Sequence, residues 1–156
     1  MKKLGILITL VMSAFITQGY AQSGKFGATP EDSVECVRYL SFYKDYYKNG
    51  NIREALPSWR GALRKCPVGV TQSLYQDGQN IIKFLIHQTK DAELRKELVD
   101  SLILMYNIRI DKFPTSKALL SAYTFKAYDM VTFYKEDDMK IFDALQDVVR
   151  FGAENT

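Results

Sequence analysis

From Pro30 onward, apolar side chains recur at intervals of three and four residues, the spacing that keeps one face of an α-helix apolar. No stretch alternates with a period of two for long enough to make a strand. Thr29-Pro30-Glu31-Asp32 reads as a helix start, with Thr as cap, Pro at the first helical position and acids in the first turn. This helix is expected to run to about Lys48. Asn49-Gly50-Asn51 then breaks it, because Gly50 tolerates the left-handed geometry that ends helices. Asn51 and Glu54 have the spacing of a capping box for a second helix. Pro57 falls inside that helix and is read as a kink rather than a break, since Ala55, Trp59, Ala62 and Leu63 keep helical spacing across it.

The plan repeats. Leu74, Tyr75, Gly78, Ile81, Ile82 and Leu85 line one face of a third helix, with Gly78 allowing a neighbour to approach closely. Asp91 caps a fourth, longer helix carrying Leu94, Leu98, Leu102, Met105, Tyr106 and Phe113 and closed by Pro114. A last pair begins at Thr115-Ser116. Leu119, Ala122, Tyr123, Phe133 and Tyr134 belong to one helix and Ile141, Phe142, Leu145, Val148 and Val149 to the next, across Glu136-Asp137-Asp138. The expected class is all-α, a solenoid of about three helix hairpins over 29–67, 70–114 and 115–152. End repeats of solenoids usually present a polar face, yet the last helix here is apolar. Its exposed face is expected to meet a continuation of the chain beyond Thr156, or else to serve as a docking surface.

The first 21 residues stand apart from this pattern. Lys2 and Lys3 precede a short apolar run from Leu4 to Thr17, and Gly19-Tyr20-Ala21 offers a cleavage site, as in a secretory signal. The run is too short for the ~20 residues that span a bilayer, so no stable membrane insertion is expected after cleavage. A Ser/Gly linker over 22–28 follows. The chain carries 21 basic and 18 acidic residues, and Lys2 and Lys3 belong to the leader. The remainder is nearly neutral and has no basic run, which argues against a nucleic-acid partner. With 47% hydrophobic and 25% charged residues, the composition is that of an ordinary folded domain.

Between the two cysteines, Tyr39, Phe42, Tyr46, Ala55, Trp59, Ala62 and Pro67 follow the order and spacing of the core positions of one tetratricopeptide repeat. With Ser41 to Lys48, Ala55-Leu56-Pro57-Ser58-Trp59-Arg60 and Cys66-Pro67, the segment 29–114 resembles exported envelope tetratricopeptide-repeat proteins of the Bacteroidota. The resemblance implies a right-handed superhelix, export to the periplasm or cell exterior, and a role in protein interaction without enzymatic activity. Tyr43 departs from the repeat pattern, occupying a place usually given to Gly.

In such a hairpin the first helix lines the concave surface. Leu40, Tyr43, Lys44, Tyr47 and Lys48, off its core stripe, are therefore the expected contacts for a protein or peptide partner, Tyr supplying area with a polar tip and Lys a charge. Cys36 begins the first helix and Cys66 ends the second, so folding the hairpin brings both to one end. A disulfide is expected for an exported chain, the alternative being two buried thiols acting as small hydrophobes. His87, the only histidine, has no nearby Cys, Ser or carboxylate cluster that forms a recognisable base–nucleophile arrangement, and the three acids of 136–138 lack the alternate spacing of a calcium loop. No catalytic residue, metal site or cofactor is expected. The sequence favours an interaction scaffold, with a structural module that positions a further domain or self-assembles as the alternative.

Overall fold

The computed structural model describes residues 23–134 and 137–155. The expected leader over 1–21 and Glu136 of the acidic turn lie outside the described residues. Within them the chain forms helices α1 (Ser23–Phe26), α2 (Pro30–Lys48), α3 (Ile52–Lys65), α4 (Gln72–Gln88), α5 (Ala92–Lys112), α6 (Ser116–Phe133) and α7 (Asp138–Glu154), and no strand. Each helix packs on the next in chain order.

The helix starts follow from local chemistry. Thr29 Oγ1 accepts the Asp32 N–H at 3.1 Å, Asp91 Oδ1 that of Leu94 at 3.0 Å, and Asp137 Oδ1 that of Lys140 at 3.1 Å. Each bond satisfies a donor that the first helical turn leaves free. Gly50 takes φ 77° in the α2–α3 turn, which a side-chain-bearing residue enters only at a cost. Helix α3 continues through Pro57. The capping box at Asn51 does not form: its side chain makes no cap bond, since its backbone at φ −84° and ψ 69° is not extended.

The segment expected as a linker is partly structured. Helix α1 makes one turn there and Phe26 packs against the main core. That core runs from Cys36 and Tyr43 through Trp59, Leu74, Ile82 and Ile86 to Leu102 and Tyr106, joining α2 to α5. A second, smaller cluster of Ala127, Met130 and Ala144 holds α6 to α7.

At Gly61 and Gly78 an aromatic ring closes the gap between neighbouring helices. A methyl group added at Gly61 would stand 2.4 Å from the Tyr39 ring, and one at Gly78 would stand 2.5 Å from the Trp59 ring. Tyr39 thus wedges α2 against α3, and Trp59 wedges α3 against α4. Ala55 and Ala62 are buried as expected, and Pro67 is half-buried beyond the end of α3.

Two expected core residues are not in the core. Phe42 is 51% exposed and Tyr46 44% exposed, whereas Tyr43, expected to face a partner, is fully buried. The inward face of α2 is fixed by Cys36 and Tyr43, seven residues apart and so on one side of the helix. Phe42 lies about 100° around the helix from Tyr43 and, with Tyr46 one turn on, turns toward solvent.

Candidate functional site

Cys36 and Cys66 form a disulfide, with Cα atoms 4.8 Å apart. It ties the first part of α2 to the end of α3 at the open end of the first hairpin, opposite the turn at Gly50. On the rim Lys65 meets Glu35 at 2.8 Å, and that carboxylate holds the Lys65 ammonium above its ordinary pKa.

Three of the five residues expected to meet a partner, Tyr43, Lys44 and Tyr47, form a polar seam between α2 and α4. Asp77 Oδ2 accepts from Lys44 Nζ at 2.5 Å and from the Tyr43 hydroxyl at 3.3 Å, and Asn80 Nδ2 donates to the Tyr47 hydroxyl at 2.9 Å. The Lys44 ammonium also lies 5.5 Å from the centroid of the Tyr43 ring. Burial pushes the Tyr43 hydroxyl well above its ordinary pKa, and the Asp77 charge pushes the same way. Tyr43 is therefore a neutral core residue and not a ligand contact. Leu40 and Tyr47 are half-buried against the core, Lys44 keeps part of its surface in solvent, and Lys48 is exposed.

A second polar cluster joins α4, α5 and α6. The Tyr106 hydroxyl donates to buried Asp129 Oδ2 at 2.6 Å, and Lys83 Nζ lies 3.3 Å from the same oxygen. Burial and the bond to Asp129 raise the Tyr106 pKa. One turn further along α5, buried Arg109 gives one N–H to Gln79 Oε1 at 3.1 Å. Arg109 Nε and its other terminal nitrogen, with Gln79 Nε2, have no hydrogen-bond partner among the described residues. Burial lowers the Arg109 pKa.

His87 is exposed and stands edge-on to Phe133 with centroids 5.5 Å apart. The Arg95 guanidinium lies 6.0 Å from the same ring and donates to the Ile86 carbonyl at 2.9 Å. Phe133 thus joins α4, α5 and α6, with the histidine packed on it.

Sequence reasoning missed Asp77, Gln79, Arg109 and Asp129. Arg109 carried a legible signal: Met105, Tyr106 and Phe113, three and four residues away, put it on an apolar helix face. A charge on such a face is a candidate for a buried partner. The pairings of Asp77 with Tyr43 and Lys44 join helices more than thirty residues apart in sequence, which no local spacing encodes.

No protein-family profile, curated protein or solved structure matches the chain.

Proposed function

We propose that this chain is a non-enzymatic, exported scaffold of tetratricopeptide-repeat type, a right-handed stack of helix hairpins that binds a protein or peptide in the cell envelope or outside it. The reading is supported by six long helices packed in chain order, by the aromatic wedge and disulfide of the first hairpin, and by polar clusters spent on holding helices together. Asp77 and Asp129 each serve two partners inside the fold, which suits a frame better than a reaction centre.

The observation that carries the binding role is the outward aromatic pair of α2. Phe42 and Tyr46 sit one helical turn apart, both exposed, on a helix fixed by the disulfide and by Tyr43. Rigid aromatic side chains presented to solvent bury a large area at small entropic cost, and such residues dominate binding energy at interfaces.

Capture from the envelope fraction of the source cells separates this surface from the end of α2 around Lys48. Phe42→Ser with Tyr46→Ser is expected to lose a partner that the unaltered chain and Lys48→Ala retain, with thermal unfolding unchanged. If Lys48→Ala loses the partner and the aromatic pair is dispensable, binding belongs to the end of α2 around Lys48, one turn beyond Lys44, and not to the aromatic pair. A chain whose first residue after expression in its source cells is still Met1 would remove export from the proposal.

A further inference from the structure

The turn between α2 and α3 carries Asn49-Gly50 at its tip, and residues 48–51 are all exposed. An asparagine followed by glycine has a covalent route open to it. The main-chain nitrogen of Gly50 can attack Cγ of Asn49 and form a five-membered cyclic imide. The bond from Cγ to Nδ2 breaks, and ammonia leaves with the proton lost from Gly50 N. Water then adds to either carbonyl of the imide, giving aspartate, or isoaspartate whose main chain runs through Cγ. The net change is one water consumed and one ammonia released. Glycine leaves the attacking nitrogen unshielded, and a Cβ built at Gly50 has no neighbour within 4 Å. Asn51, Asn80, Asn107 and Asn155 each precede an Ile or a Thr, whose β-branches crowd the attack.

The fold holds both reacting groups away from this path. Gly50 N–H donates to the Tyr47 carbonyl and Asn51 N–H to the Tyr46 carbonyl, each at 3.0 Å, the paired bonds that close a helix through a left-handed glycine. The Asn49 amide is engaged too, since Nδ2 donates to the Asp45 carbonyl at 2.8 Å. At ψ 6° the Gly50 nitrogen eclipses the Asn49 main-chain nitrogen, whereas the imide ring needs it to eclipse Cβ. The ring can close only after the link between Asn49 and Gly50 has rotated, which breaks the bond to Tyr47.

Either product prevents the turn from re-forming as it was. Isoaspartate adds one carbon to the main chain between Lys48 and Gly50, so the two closing bonds lose register. Aspartate replaces the donor to the Asp45 carbonyl by a carboxylate, a negative charge at the negative end of the α2 dipole. We propose that Asn49 is a site of spontaneous deamidation guarded by the closed α2–α3 turn, so that opening of the turn is converted into a permanent, destabilising charge. The reaction calls for no enzyme, and it stands whether or not Phe42 and Tyr46 hold a partner.

The test is incubation of the purified chain at mildly alkaline pH, in buffer and in denaturing guanidinium. Tandem mass spectrometry of the tryptic peptide 49–53 locates the mass gain of an amide turned acid and tells Asn49 from Asn51. In guanidinium Asn49 should convert before Asn51, Asn80, Asn107 and Asn155. In buffer its rate should fall about tenfold or more, in proportion to how seldom the turn opens. Asn49→Asp, which installs one of the two products, should unfold at a lower temperature than the unaltered chain. Equal rates in the two solutions would show that the turn guards nothing, and another asparagine converting first in guanidinium would show that Asn49 is not the site. An Asn49→Asp chain as stable as the unaltered one would overturn the destabilising effect.

Discussion

The indole of Trp59 lies in the space that a side chain at position 78 would fill, and its N–H donates to the Leu74 carbonyl, one turn earlier on α4, at 3.0 Å. The missing side chain of Gly78 and the reach of Trp59 are one feature: only glycine lets the ring lie close enough to the backbone for the bond to form. An added methyl would have backbone on one side and a rigid ring on the other, so neither can yield cheaply.

Gly78→Ala is therefore expected to destabilise the fold by about 1–3 kcal/mol from overpacking, although alanine favours a helix interior by about 1 kcal/mol over glycine. Thermal or urea unfolding measures the change. The cost should shrink when Trp59 is first replaced by Leu, because the methyl then has room. Equal costs in the two backgrounds would show that the ring is not what the methyl meets.

Tyr43 and Tyr106 make the fold sensitive to alkali. Burial and their carboxylate partners raise both pKa values above the ordinary value of about 10. Below pH 10 both hydroxyls are protonated in the folded and the unfolded chain, and their contribution is fully present. Above pH 10 the unfolded chain releases protons that the folded chain keeps, so stability falls with rising pH. Each tyrosine should contribute about 1.4 kcal/mol per pH unit to that fall. Denaturant unfolding between pH 9 and pH 11 checks it: Tyr106→Phe and Tyr43→Phe should each flatten the slope while costing about 1 kcal/mol at neutral pH.

The disulfide closes a loop with a sequence separation of 30 residues, which in the chain-entropy account stabilises the fold by about 3–4 kcal/mol. Cys36→Ala with Cys66→Ala should lower unfolding stability by that order. Both cysteines are buried, so alkylation of the native chain in reductant should be slow and should accelerate at denaturant concentrations that open the first hairpin. Rapid labelling of both thiols without reductant would show that no bond exists.

What could be read from the sequence and what could not divides along the range of the interactions. The two ends of α2 and the start of α5 follow from Thr29, Pro30, Gly50 and Asp91, whose effects act within one turn, and a cysteine pair bracketing a hairpin needs only that the hairpin closes. The close approach at Gly78 was also legible, though not its partner. The face that α2 turns inward was misread because Phe42, Tyr43, Tyr46 and Tyr47 form two adjacent aromatic pairs of equal helical spacing. Periodicity alone cannot choose between them. Asp77 decides it, by accepting the Tyr43 hydroxyl and the Lys44 ammonium from another hairpin. The expected partner contacts at Tyr43, Lys44 and Tyr47 became a seam for the same reason.

Arg109 is the place where the polar interior is least satisfied. Its guanidinium is buried, gives one bond to Gln79, and leaves two nitrogens without acceptors among the described residues, as Gln79 leaves its amide nitrogen. An unpaired buried donor loses its hydration without recovering a bond, and burying a charge that lacks a counter-ion costs more. Removing both residues together, Arg109→Met with Gln79→Leu, replaces the pair by apolar groups of similar length and should leave stability unchanged or raise it by about 2 kcal/mol. Gln79→Leu alone strips Arg109 of its acceptor and should cost about 2–3 kcal/mol. Urea unfolding of the three chains gives the comparison. A double variant less stable than either single one would mean that the unpaired donors are served by an ordered water or anion, and the cluster would then be a fully bonded part of the core.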